Sequence, residues 1–269
     1  MVEVGCNTLI YGGYSLETAL QHIAWAGYDG IELAAILNMA EHAALGRDAA
    51  YAQRLRAQVE EHGLRILHLG VHAPVTTPRG QERLGPALCL ARDLGTPLVL
   101  TATGGQPPEG SARDTYAAVE ALVGEAAGLG LKLGIKPHVG HVVHGTESAL
   151  AMIDAVRAPN LGLDWDVSHI YREQEDPAES FRRLAPHVFT VRLRDSHSRE
   201  PRIGPPETQV PGRGAIDIPG VLRAIRESGY PGDISVDIVG TKEYDAARIM
   251  GIVAETRGYL RRCMQEMGY

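Results

Sequence analysis

Lys136, Asp166, Arg192 and Asp237 each stand at the end of a short apolar run, and together they offer a carbanion chemistry. A carboxylate can abstract a proton alpha to a ketone, a cation can hold the enediolate oxygen that forms, and an imidazole can pass protons between positions. His169, three residues beyond Asp166, supplies that imidazole, and Arg192 would fix an oxyanion or a carboxylate. Asp166 or Asp237 would be the base. Other run ends add candidates for substrate contact: Glu32, His72, His138, Trp165 and Arg194. Each has a plainer alternative. Glu32 accepts substrate hydroxyls or is an ion-paired carboxylate; His72 contacts substrate or packs; Trp165 stacks on a substrate face or belongs to the core. His138, His141 and His144 are evenly spaced, but Gly140 and Gly145 bracket them, so they read as a loop in which only His138, directly after the strand-end Lys136, is well placed. Gly104-Gly105 and Gly212-Arg213-Gly214 can present backbone N–H groups to an anion, although turns are their commoner use. Neither is a nucleotide-binding motif.

Charged residues at the ends of several apolar runs need a scaffold that gathers those ends. β-type runs alternate with helical patterns along the whole chain, which is the signature of βαβ units around a parallel sheet. The strands read as Val2–Asn7, Asp29–Leu33, Leu64–Val71, Pro97–Thr101, Leu131–Lys136, Leu161–Asp166, Val188–Leu193 and Asp233–Val239. Ser15 and Thr18 open a helix that stops at Gly27, another runs from Asp48 to Gly63, and an amphipathic helix over Tyr244–Met264 closes the outer ring. With 269 residues, the expected fold is α/β, a (β/α)8 TIM barrel spanning residues 1–269 as one domain, with its active site at the C-terminal ends of the strands. The segment Ser196–Pro219 holds five of the 16 prolines and reads as a functional loop over the barrel mouth. The plainer alternative for the polar residues is that they lean outward or pair as buried ions.

Composition bounds the partners. A net charge of −7 without a basic run argues against nucleic acid. Met1–Asn7 has no basic segment followed by an apolar one, and no stretch approaches 18 apolar residues, so neither secretion nor membrane spanning is expected. Cys6, Cys89 and Cys263 are scattered and lack metal-finger spacing, which fits a reducing cytoplasm.

Six segments in order resemble the xylose isomerase-like family of sugar phosphate isomerases and epimerases, which includes tagatose epimerases, inosose isomerases and, more distantly, endonuclease IV. They are Ala26–Leu33, Gly134–His138, Pro159–His169, Val188–Asp195, Pro211–Gly214 and Gly229–Asp237. The resemblance implies a divalent ion held by Glu, Asp, His and Glu on strands five to eight. Here those positions read Lys136, Asp166, Arg192 and Asp237. A protonated Lys or an Arg offers no lone pair to a metal, so no cofactor is expected. Two cations and two carboxylates sum to zero charge without an ion, and Lys136 and Arg192 would supply the positive field themselves. If a metal does bind (Mn, Mg, Co or Zn), Asp166, Asp237 and His169, with His138, are its expected ligands.

The function expected from the resemblance is isomerisation or epimerisation of a small polyhydroxylated keto compound (sugar, sugar phosphate or cyclitol ketone) through an enediolate. The alternatives are a lyase or dehydratase on a related substrate, and a non-catalytic sugar or sugar-acid binding protein in which Lys136 pairs with Asp166 or Asp237. A Schiff base on Lys136 is a further variant and needs a neutral amine. DNA is the least expected substrate. A homo-oligomer is an expectation from the resemblance alone.

Overall fold

The computed structural model describes residues 2–106 and 110–268. Among these, eight parallel strands close into a ring: β1 (Val4–Asn7), β2 (Gly30–Ile36), β4 (Arg65–Pro74), β5 (Leu98–Ala102), β6 (Lys132–Lys136), β7 (Leu161–Asp166), β8 (Val188–Leu193) and β9 (Asp233–Val236). β1 pairs with both β2 and β9, which shuts the barrel. β3 (Ala40–Glu41), which the sequence does not announce, folds back antiparallel on β2 at the mouth.

Helices pack around this ring: α1 (Leu16–Trp25), α2 (Ala49–Glu61), α3 (Pro78–Leu94), α4 (Ala112–Gly128), α5 (Thr146–Val156), α7 (Pro177–Leu184), α8 (Ile218–Glu227) and α9 (Ala246–Met267). Ser15 caps α1 as expected, its Oγ accepting from the Thr18 N–H at 3.2 Å, and Gly27 at φ +81° provides the stop. No helix among the described residues is long and apolar enough to cross a membrane.

Two strand ends shape the site, the first short of its expected boundary and the second at it. The last strand stops at Val236, because Gln209 from the mouth loop captures both backbone groups of Val239, at 2.9 and 3.0 Å. And β7 runs straight into a short helix, α6 (Val167–Arg172), because the Asp166 carboxylate caps it, Oδ1 accepting from the Ser168 N–H at 3.0 Å.

Period-2 alternation sorts each strand into an outer apolar and an inner face. On β7, Leu161, Leu163 and Trp165 face the helices while Gly162, Asp164 and Asp166 face the axis. Lower down, glycines make room for the large residues that plug the barrel: a Cβ on Gly134 would lie 2.5 Å from Leu100 Cδ2. Higher up the interior is ionised rather than filled with branched side chains. Gly70 has no side chain there because its Cβ would lie 1.9 Å from Glu32 Oε1.

The mouth loop is held by one buried carboxylate. Asp195 accepts from the N–H groups of Ser196, Gly212, Gly214 and Ile216 at 2.8, 2.9, 3.0 and 3.0 Å. Asp195→Ala removes four acceptances from a segment with no strand ladder of its own, so the loop opens locally at little cost to the barrel. Limited proteolysis is expected to cut this variant within 197–213 well before global unfolding, while the parent chain stays intact under the same digestion.

Candidate active site

The charges meet in two layers. In the deeper one Arg192, fully buried, spans three carboxylates. Its Nε donates to Asp164 Oδ1 at 2.7 Å, Nη1 lies 3.2 Å from Asp237 Oδ2, and Nη2 pairs with Glu32. Nη2 also donates to His72 Nε2 at 3.0 Å, and Asn7 Nδ2 donates to Glu32 Oε1 at 2.9 Å and Asp237 Oδ1 at 3.3 Å. Burial works against the charge on Arg192, but Asp164, Glu32 and Asp237 outweigh it and raise its pKa well above the ordinary value. Burial likewise works against the Glu32 carboxylate, which Arg192 and then His68 hold well below its ordinary range. Glu32 and Arg192 are therefore committed to each other. Neither reaches the cavity, so Glu32 does not receive sugar hydroxyls and Arg192 does not meet an oxyanion directly.

His68 lies beneath this layer, with Nε2 3.1 Å from Asp233 Oδ2 and Nδ1 3.2 Å from Glu32 Oε2. Burial disfavours its charge, yet Asp233 and Glu32 prevail and raise its pKa to about 9. Against an unfolded value of about 6.5, a raised folded pKa gives stability that is fully present below the unfolded value and lost as pH rises through the folded one. The denaturation midpoint is thus expected to fall from about pH 6.5 to 9, and His68→Gln to flatten that limb.

The upper layer forms the floor of a cavity of about 290 Å³ at the C-terminal ends of the strands. Lys136 Nζ is 3.2 Å from Asp237 Oδ2, 3.4 Å from Asp166 Oδ2 and 3.8 Å from Asp164 Oδ2, the surroundings of an ammonium ion rather than of a Schiff-base amine. Asp237 is the carboxylate among the cavity-lining residues. Burial raises its pKa, but Lys136, then Arg192 and Arg194, bring it below the ordinary value. Asp166 is fully engaged: Oδ1 caps α6 and accepts from Ser168 Oγ at 2.8 Å, and Oδ2 receives Arg194 Nη2 at 3.1 Å. It does not line the cavity, where Asp237 does.

Four histidines line the same space: His72, His138, His141 and His169. Burial lowers the pKa of each, to about 3 at His138 and about 4 at His141, with neighbouring cations or imidazoles adding to it. They are neutral at pH 7, and their hydrogen bonds fix where the proton sits. His138 Nδ1 donates to the Val139 carbonyl at 2.8 Å, leaving Nε2 as an acceptor. His141 Nδ1 accepts from the Gly104 N–H at 3.2 Å, so Nε2 carries its proton. His169 Nδ1 accepts from Arg172 Nη2 at 2.9 Å and the Val139 N–H at 3.2 Å, while Arg194 Nη2 lies 3.0 Å from Nε2. Burial, and the Arg194 and Arg172 guanidiniums beside it, disfavour a second proton on His169. His72 sits at φ +46°, a left-handed conformation costly for a residue with a Cβ and kept here by the Arg192 and Glu32 contacts.

Trp165 is placed elsewhere. Fully buried on the outer face of β7, it donates to Ser180 Oγ at 3.3 Å and packs edge-on against Phe181, so it is core and not a sugar platform. His144 turns out to Glu173. Participants not singled out from sequence include His141, Arg172, Asp164, Asn7 and His68. The spacing of His138 and His141 was the signal for the first; nothing in the sequence marks Arg172.

The family-implied metal does not fit these donors. Two of the four positions present N–H groups into the carboxylate centre, and among the described residues no three His, Cys, Asp or Glu side chains are gathered to hold an ion.

The pattern of the family described as "Xylose isomerase-like TIM barrel" matches residues 20–263. An L-ribulose 3-epimerase of Methylomonas sp. (strain DH-1) is 23% identical over 258 residues, covering 91% of this chain and 87% of that protein. In shape the chain is similar to the IOLI protein solved with a binding zinc atom, at a TM-score of 0.80 and 17% identity over 98% of each chain. It is also similar to the probable 3-DHS dehydratase AsbF from Bacillus anthracis, at a TM-score of 0.76 and 17% identity over 96% of this chain and 98% of that one.

Proposed function

The chain belongs to the xylose isomerase-like TIM barrel family, and from that premise we propose that it is an isomerase or epimerase acting on a small keto compound without a bound metal. The observation that carries the reading is the pairing of Asp237 Oδ2 with Lys136 Nζ at 3.2 Å on the floor of the cavity. It sets a base beside a charge-bearing donor.

Asp237, ionised at neutral pH, takes the proton from the carbon next to the substrate carbonyl. The electron pair moves onto the carbonyl oxygen, which the Lys136 ammonium and the His141 Nε2–H stabilise as an enediolate oxygen. A neutral imidazole is suited to this, since it donates without giving up its proton. Arg192 acts through Asp237 and Asp164, holding them in place. A single carboxylate at the cavity returns the proton on the face from which it came, which favours a carbonyl shift along the chain; inversion at one carbon draws its second proton from Lys136.

Deuterium exchange tests the reading. Ketoses and a cyclitol ketone incubated in D2O with chelator are expected to take up solvent deuterium at the carbon alpha to the carbonyl, and Asp237→Asn to abolish it. A product that has lost water identifies a lyase instead. The pairing of Lys136 with both Asp166 and Asp237 also supports a binding-only protein with a closed former metal site; binding without exchange would favour that second reading.

A further inference from the structure

The donors left unspent at the cavity wall narrow the substrate class, an inference that rests on the isomerase reading. Arg194 is 3% exposed and lines the cavity. Its Nε donates to Ser168 Oγ at 2.7 Å and its Nη2 to Asp166 at 3.1 Å, while Nη1 makes no hydrogen bond to any described residue. Lys136 has three N–H groups and two hydrogen-bond acceptors, Asp166 and Asp237. With the His141 Nε2–H, one wall thus presents a guanidinium edge, an ammonium and an imidazole donor.

Leu9, Ile36, Leu37, Met39 and Val239 give the same cavity an apolar stretch of wall. A neutral ketose carries hydroxyls on every side, and those set against such a wall would be buried without partners. A carboxylate gathers its acceptor oxygens at one end, where a guanidinium edge matches them. Phosphate is served less well, because the backbone donors that cradle it are used: the Gly104 N–H by His141, and those of Gly212 and Gly214 by Asp195.

We propose that the substrate is a keto carboxylate, its carboxylate seated on Arg194 Nη1 and its carbonyl oxygen directed at Lys136 and His141. Matched probes separate this from the isomerase reading. Binding of D-fructose, D-fructuronate, 2-keto-D-gluconate and D-fructose 6-phosphate to the full chain is measured by titration calorimetry, with deuterium exchange followed on the same samples. At least one keto acid is expected to bind about tenfold or more tighter than D-fructose, equivalent to about 1.4 kcal/mol, and the phosphate ester no tighter than D-fructose. Arg194→Gln, checked for folding by its thermal transition, is expected to erase the difference, and Arg194→Lys to restore part of it.

Equal affinity for D-fructose and both keto acids, tighter binding of the phosphate ester, or no binding by any probe at millimolar concentration overturns the proposal, whether or not Arg194→Gln folds. Keto-acid binding without exchange keeps the substrate class and removes the isomerase reading. Exchange on D-fructose with no carboxylate preference does the reverse.

Discussion

Lys136→Met is expected to fold and to lose about 10²–10³-fold in kcat, the cost of removing one preorganised donor from a developing oxyanion. Its second signature is the pH profile. Lys136 is the strongest of the cations that hold the Asp237 carboxylate below its ordinary range. Asp237 must be ionised to act as base, so activity is lost as pH falls through its pKa. Without the ammonium that pKa rises, and the acid limb of the residual activity moves to higher pH. A uniform loss with an unmoved limb would show that Lys136 binds substrate but does not set the base.

Arg192→Met should be the most destabilising single change in the barrel, by about 3–5 kcal/mol, because it strands buried carboxylates while sparing nearly all the volume. Glu32, Asp164 and Asp237 all face this guanidinium, and Glu32 and Asp164, fully buried and away from the cavity, have no solvent water as a substitute. Urea denaturation at pH 7 measures the loss. The deficit should shrink as pH is lowered and the stranded carboxylates take up protons, since the neutral acids no longer need the cation. A variant as stable as the parent would mean that the deeper layer is not held by this residue.

Much of this arrangement is legible in the sequence, and the parts that are not share a cause. Alternation along Leu161–Asp166 puts Asp164 and Asp166 on one face and Trp165 on the other, so the outward placement of Trp165 could have been read from the same rule that located the carboxylates. What a single sequence does not carry is depth. Arg192 on β8 and Arg194, one residue past its end, have the same parity, yet one is sealed among Glu32, Asp164 and Asp237 while the other lines the cavity. That difference is set by the stagger of strands around the ring, which depends on partners far away in sequence.

Loop residues were harder still. His141 reaches the cavity because its Nδ1 is tied to the Gly104 N–H, a contact across 37 residues that no local periodicity encodes. Asp195 lies just past the end of β8, and its grip on the glycine-rich mouth segment joins residues 17 and 19 positions apart that no local pattern links.

The central claim is that Lys136 and Arg192 take the place of the ion the family implies. Metal content by mass spectrometry, after incubation with Mn²⁺, Co²⁺ and Zn²⁺ and gel filtration, tests it most directly when the Lys136→Glu/Arg192→His double variant is run alongside. The account predicts no stoichiometric ion in the parent chain and about one per chain in the double variant, where four lone-pair donors would again meet. A stoichiometric ion in the parent chain would contradict it.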